Sequence, residues 1–77
     1  MNQSELLDRL ANAEWDVSRG ARLLVGQRNA VRQLRTCMRD VTSAEALLTD
    51  LECAQVLSVS ERDRLRTQVE HLHTTDR

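Results

Sequence analysis

The sequence predicts an all-α protein, from two features of its composition and one of its pattern. The chain of 77 residues has no proline, two glycines and one aromatic residue, Trp15. β-Sheet proteins need turn-forming residues between strands and β-branched or aromatic residues within them, and this supply is poor. Leucine, alanine, arginine, glutamine and glutamate dominate instead, and they lose little entropy in a helix. A chain of this length forms one domain, residues 1–77.

The pattern is a heptad repeat in the first half of the chain. Apolar or small residues recur at alternating steps of three and four, with Gln27 in the one polar slot. The positions are Leu6, Leu10, Ala13, Val17, Gly20, Leu24, Val31, Leu34, Met38 and Val41. Asn2 and Glu5 can cap the start of this segment. We predict a first helix over about residues 3–39.

A second helix start is visible at Thr42, where the segment up to Glu45 fits a capping box. The heptad positions that follow are Ala44, Leu48, Leu51, Gln55, Ser58, Arg62, Leu65, Val69 and Leu72. We predict a turn over about 40–42, a second helix over about 43–72 and a frayed tail over 73–77. The segment 56–60 contains poor helix formers, so a break there, with a third helix starting at Ser60, stays an alternative.

The short connection makes the two helices antiparallel neighbours, which predicts a coiled-coil-like hairpin. Facing positions in such a hairpin have a constant sum, and a sum of 82 pairs the apolar residues, including Met38 with Ala44. The same sum places Gln27 opposite Gln55 and Gly20 opposite Arg62. The charges agree with this fold, because the hairpin places a basic segment beside an acidic one. Residues 17–39 carry six arginines and no acid, and residues 40–61 carry five acids and no base.

Positions that flank the heptad seam on one side form a second apolar face toward the turn. They are Leu23, Ala30, Cys37, Leu47 and Ala54. An isolated hairpin would leave this face in water. We therefore predict self-association of two hairpins into a four-helix bundle, a homodimer. A helix of another protein docking in the same groove is the alternative.

A further group of residues is a candidate surface for another protein. It consists of Trp15, Arg19, Arg22, Val25, Val56 and Leu57. Tryptophan and arginine are common at interaction hot spots. The other interpretation of Trp15 is a cation–π contact under Arg19, or burial in the dimer.

No motif predicts catalysis, a cofactor or a metal. Cys37, Cys53, His71 and His73 do not have the spacing of a zinc site. The chain has no glycine-rich phosphate loop, nucleophile turn or HExxH motif, so we expect no enzyme activity. The two cysteines come without a signal peptide, which favours free thiols in a reducing cytoplasm and leaves their redox activity open. No apolar run approaches the ~20 residues of a membrane span.

The charge balance argues against general attraction to nucleic acid, because the formal net charge is −1. The strip from Arg19 to Arg39 could bind phosphates, but acids of the second helix lie alongside and favour internal charge matching. We therefore expect a non-catalytic interaction or scaffolding module. A small nucleic-acid-associated regulator that uses the Arg19–Arg39 strip, and an inhibitor that caps another protein, are the alternatives.

One set of residues carries a resemblance to a known group of proteins. It consists of Gly20, Leu24, Gln27, Val31 and Leu34, followed by a turn, Ala46-Leu47-Leu48 and Arg62-Asp63-Arg64-Leu65. Over residues 17–72 the chain resembles small uncharacterised helical-hairpin proteins that are common in proteobacterial genomes. The resemblance implies a bacterial helical hairpin and no specific activity. Members often carry glycine at the turn, where this chain has Arg39-Asp40-Val41.

Overall fold

The protein is a helical hairpin, seen in a computed structural model that describes residues 2–75 and the side chains of residues 2–72. Helix α1 spans Gln3–Thr36 and helix α2 spans Thr42–Thr75. The two helices pack against each other in a rod of 61 × 16 × 14 Å. Within residues 2–75 there is no strand. The predicted all-helical hairpin is confirmed.

The start of α1 follows the predicted capping. The Asn2 side chain accepts a hydrogen bond from the Glu5 backbone N–H at 2.8 Å. The Asn2 carbonyl accepts from the Leu6 N–H at 3.1 Å. The first bond satisfies an N–H group that a helix start otherwise leaves without a partner, and the second is the first hydrogen bond of the helix itself. Asn2 as the N-cap is confirmed.

The end of α1 comes three residues before the predicted boundary, because the chain closes it with a Schellman motif. Met38 has a positive φ of 55°, its N–H donates to the Arg35 carbonyl at 3.0 Å, and the Arg39 N–H donates to the Leu34 carbonyl at 2.9 Å. This geometry turns the chain away from the helix axis, and Met38 is 94% exposed. The prediction that Met38 packs in the seam is therefore wrong.

The start of α2 is capped by a residue that the sequence analysis did not use. Asp40 Oδ1 accepts from the Thr42 N–H at 2.9 Å and from the Thr42 hydroxyl at 2.7 Å. These two hydrogen bonds lower the pKa of Asp40 below its ordinary value. The Glu45 side chain does not fold back onto the helix start, because it bonds Arg35 across the hairpin at 2.6 Å. The predicted capping box from Thr42 to Glu45 is wrong.

The register of the two helices differs from the predicted one by about one helical turn. The ends of the two helices at the turn, Thr36 and Thr42, have positions that sum to 78 rather than 82. The largest core cluster agrees, since Leu65 packs with Ala13 and Leu6, and not with Val17 as predicted. The earlier end of α1 explains the shift, because it lengthens the turn and moves the partners of every seam position.

The two glutamines of the seam do not meet. Gln27 Nε2 donates to the Ala44 carbonyl at 2.9 Å, and Gln55 Nε2 donates to the Val17 carbonyl at 2.9 Å. Each amide thus reaches the backbone of the opposite helix, which offsets the cost of placing a polar group in the seam. The predicted pairing of Gln27 with Gln55 is wrong.

Helix α2 is continuous through the segment where a break was an alternative. It runs without interruption from Thr42 to Thr75, so no third helix begins at Ser60. Ser58 and Val59 are half-buried against α1, and such tertiary packing overrides weak helix propensity. Helix α2 also extends three residues beyond the predicted end at Leu72. The last two residues of the predicted tail, 76 and 77, lie outside the described part of the chain.

Burial is uneven between the two helices. The buried hydrophobic side chains are Leu6, Ala13, Leu24, Val31 and Leu65. On the described part of α2, only Leu65 is buried, whereas the seam residues nearer the turn, Ala44, Leu48 and Leu51, are half-buried. At the open end, Val69 and Leu72 are half-buried as well, so the unevenness lies between the helices: α1 holds four of the five buried residues and α2 holds one.

Replacing Met38 by glycine should stabilise the hairpin. A non-glycine residue in the left-handed region costs about 1 kcal/mol, and the exposed Met38 side chain contributes no packing that would be lost. We expect Met38→Gly to raise the melting temperature by about 4–8 °C. The same substitution at Cys37, where φ is −84°, should not stabilise. An unchanged melting temperature in Met38→Gly would contradict the Schellman geometry.

The pKa of Asp40 should depend on the Thr42 hydroxyl. That hydrogen bond is the main cause of the lowered pKa, so Thr42→Val should move the pKa upward toward its ordinary value. Because the folded-state pKa is lowered, the stability that Asp40 contributes is present above its unfolded pKa and is lost as pH falls through the folded pKa. A carboxyl NMR titration measures the shift. Thr49→Val is the control, since the Thr49 hydroxyl donates to the Glu45 carbonyl and its loss should leave Asp40 unchanged.

Candidate interaction surfaces

The seam between α1 and α2 divides the surface of the hairpin into two flanks. We call one of them the closed flank, because two ion pairs cross the seam there. Arg35 bonds Glu45 at 2.6 Å near the turn, and Arg66 bonds Glu14 at 3.0 Å toward the open end. Both pairs are exposed, so each contributes little stability. They nevertheless fill this side of the seam with charged groups.

The opposite side, which we call the apolar flank, carries the five predicted self-association residues Leu23, Ala30, Cys37, Leu47 and Ala54. Leu23 and Leu47 are each 49% exposed. Ala54 and Cys37 are also exposed, and Ala30 is half-buried. Leu23 and Ala54 line one groove between the helices, and Ala30 and Cys37 line a second hollow near the turn. The flank therefore presents apolar side chains to solvent along the turn half of the hairpin.

The floor of the apolar flank contains a close contact between a glycine and a glutamine. A Cβ atom at Gly20 would overlap Gln55 Oε1, so the absence of a side chain at Gly20 lets the Gln55 amide lie across the seam toward Val17. The predicted neighbour of Gly20 was Arg62. That pairing is wrong, because the Gln55 side chain occupies the space beside Gly20, and Arg62 bonds Asp63 on its own helix at 2.9 Å.

The predicted partner-binding residues do not form one surface. The Arg19 guanidinium lies 5.1 Å from the centre of the Trp15 ring, so the cation–π contact is present, and Trp15 is still 58% exposed. Arg22 is exposed on the same side of α1. The remaining residues are elsewhere: Val56 lines a groove on the closed flank, and helical spacing places Val25 on that flank too. Leu57, three residues after Ala54, lies beside the apolar flank.

The expected internal charge matching is realised by one pair only. Among the six arginines of residues 17–39, Arg35 alone has an acidic partner within 4.0 Å in the described part of the chain. The other five are exposed: Arg19, Arg22, Arg28, Arg32 and Arg39. Arg19, Arg28 and Arg32 line grooves that α2 residues also line, yet none of the three has a carboxylate within 4.0 Å among the described residues. The charge of a whole segment does not determine which of its side chains form ion pairs.

Residues with metal-binding or redox chemistry are dispersed. Cys37 and Cys53 are both exposed free thiols. Within the described residues, no group of three or more His, Cys, Asp or Glu side chains could hold a metal ion. The side chain of His73 lies outside the described residues. Neither α1 nor α2, as far as each is described, has an apolar stretch that would cross a bilayer.

Comparison with known protein families, with curated proteins and with solved structures finds no match for this chain. The resemblance to proteobacterial helical hairpins therefore stays a prediction. The physical properties of the two flanks and of the outer face of α1 are the basis for any functional proposal.

Replacing Gly20 and Gly26 by alanine should change the free energy of unfolding by different amounts. Gly26 has open space around it, so Gly26→Ala should gain about 1 kcal/mol of helix propensity. At Gly20 the new methyl group displaces the Gln55 amide and removes its hydrogen bond, which cancels most of the same gain. We expect Gly20→Ala to become stabilising only in a Gln55→Ala background. Denaturant unfolding of the double-mutant cycle measures this coupling, and additive effects would contradict the contact.

Proposed function

We propose that the chain is a non-catalytic helical interaction module that self-associates through its apolar flank, so that two hairpins form a four-helix bundle. The contrast between the two flanks carries this proposal. Arg35 and Glu45 fill the closed flank with charge near the turn. At about the same distance from the turn, the apolar flank exposes Leu47 and Cys37. Near the turn, exposed apolar surface therefore lies on one side of the rod, which is typical of a protein interface. Farther from the turn the closed flank also exposes Val25 and Val56.

The incomplete burial of the α2 seam supports the same proposal. In the turn half, the α2 seam residues Leu48 and Leu51 are half-buried. A second hairpin laid on the apolar flank would cover this half of the seam. A two-helix chain of this size buries little apolar surface by itself, so this additional burial would contribute substantially to its stability.

The sizes of the residues on the apolar flank favour a second copy as the occupant. Leu23 and Ala54 line the same groove, and helical spacing places Ala30 and Leu47 together in the next layer. Each layer thus pairs one large with one small side chain, which lets two identical surfaces interdigitate. Twofold dimers are the commonest oligomers of soluble proteins.

Charged residues limit the apolar flank toward the open end. One heptad before Leu23 the equivalent position is Asp16, and one heptad after Ala54 it is Glu61. Glu61 already bonds Arg64 at 2.6 Å, and this bond lowers the pKa of Glu61 below its ordinary value. An apolar centre bounded by charged residues has the arrangement of a core and a polar rim in known interfaces.

Light scattering on a sizing column tests the proposal with a matched pair of variants. We expect wild type at twice the chain mass of 8.8 kDa. Leu23→Glu/Leu47→Glu places charges on the apolar flank and should give a monomer. Val25→Glu/Val56→Glu adds the same charges at similarly exposed positions and should leave the dimer intact.

Two further measurements keep the test decisive. Circular dichroism reports whether each variant is folded, and Ala54→Arg provides a milder block at one exposed position. A folded monomeric wild type would overturn the proposal. Equal loss of the dimer in both double variants would show that the apolar flank is not the contact surface.

A further inference from the structure

We propose a second binding site, on the outer face of α1, that holds the phosphate backbone of a nucleic-acid duplex. The site is the arginine strip, which we define as Arg19, Arg22, Arg28, Arg32 and Arg39. It borders the apolar flank at Arg19, which lines the same groove as Leu23 and Ala54, and at Arg39, which lines the same hollow as Ala30 and Cys37. The other three arginines lie outside that flank.

The arginines of the two helices differ in whether they pair with carboxylates. On α2, Arg62, Arg64 and Arg66 each bond a carboxylate at 2.6–3.0 Å. In the arginine strip no guanidinium has a carboxylate within 4.0 Å among the described residues. The strip is thus a set of exposed positive charges that the protein does not neutralise itself.

The local charge along α1 is positive. Residues 17–39 contain no acid, so the strip is basic although the formal net charge of the chain is −1. Acids lie at its borders: Glu52 lines a groove with Arg28, Asp16 lines a groove with Arg19, and Asp40 follows Arg39 in the sequence. The attraction to an anion is therefore confined to one face of the hairpin.

The strip is elongated. Arg19 and Arg32 are separated by about 20 Å along the helix, and Arg39 lies beyond the end of α1, in the turn. The helical part of the strip thus covers somewhat more than half of one turn of a DNA duplex, about 34 Å. The arginines also spread around the outer face of α1, with Arg28 next to the closed flank and Arg19 next to the apolar flank. A helix with this spread can reach phosphates on both sides of a groove.

The residues between the arginines favour nucleic acid over an acidic protein. Ser18, Asn29 and Gln33 are exposed polar side chains, which donate hydrogen bonds to phosphate oxygens as readily as backbone amides do. The exposed apolar side chains near the strip do not form one centre, because Val25 lies toward the closed flank, Leu23 lies on the apolar flank and Met38 lies in the turn. A protein partner would need a more extended apolar centre, whereas guanidinium groups bind phosphate in a bidentate manner.

The dependence of binding on salt is the measurable consequence. Each neutralised phosphate contributes a slope of about −0.9 to the logarithm of the affinity against the logarithm of the salt concentration. Five contacts give a slope of about −4.5, so affinity should fall about 500-fold between about 50 mM and about 200 mM salt. Phosphate contacts carry no sequence information, so binding should be similar for unrelated duplexes.

Fluorescence anisotropy of a labelled DNA duplex, with an RNA duplex titrated in parallel, tests the site. Wild type should bind at low salt with the slope given above. Arg28→Gln/Arg32→Gln should reduce the magnitude of the slope by about 1.8, which corresponds to two lost phosphate contacts. Arg64→Gln/Arg66→Gln changes the net charge equally but removes arginines that are already paired, so its slope should match wild type.

The outcomes separate this site from the proposed self-association. Leu23→Ser/Leu47→Ser weakens the apolar flank without adding charge beside Arg19, so a monomeric variant should retain duplex binding. Absence of binding to either duplex at about 50 mM salt overturns the proposal. Equal losses of duplex affinity in the two arginine variants overturn it too, because binding would then depend on the net charge of the protein and not on the arginine strip. Binding of poly-glutamate without binding of either duplex would identify an acidic protein as the partner and reject nucleic acid.

Discussion

The hairpin depends on one seam, because two helices side by side have no other place to bury apolar side chains. The few buried hydrophobic residues of the described chain all lie in it, from Leu6 at the open end to Val31 near the turn. Polar groups in the seam must therefore be satisfied without widening it. Gln27 and Gln55 meet this condition by donating to backbone carbonyls of the facing helix, and Gly20 provides the space that one of them needs.

The fold class could be predicted from the heptad pattern, and the register could not. Steps of three and four repeat along both helices, so sums of 78 and 82 both place most apolar residues opposite apolar residues. The turn decides between them, and its geometry rests on Met38 in a conformation that non-glycine residues seldom adopt. Nothing in the pattern singles out Met38. The bond from Gln55 to a backbone carbonyl was missed because the sequence analysis paired side chains only.

The candidate surfaces were predictable to the extent that helical position determines them. The five residues of the apolar flank follow from the heptad, and the structure leaves Leu23, Leu47 and their neighbours accessible. Ion pairing also requires that the heptad positions of two residues face each other. Arg35 and Glu45 satisfy that condition, whereas Arg22 and Arg32 have no carboxylate within 4.0 Å among the described residues. Segment charge therefore predicted the direction of the hairpin correctly and its individual ion pairs poorly.

The two proposed surfaces differ in the force that each would use, and this difference follows from their composition. The apolar flank would gain from removing side chains such as Leu23 and Leu47 from water, an effect that moderate salt does not weaken. The arginine strip would act through charges that salt screens and through counterion release. A bundle formed through the apolar flank would cover the groove that Arg19 lines and the hollow that Arg39 lines and would leave the other arginines of each strip on its outside, open to a duplex. Assembly would then raise the number of phosphate sites per particle, and the gain would come from effective concentration.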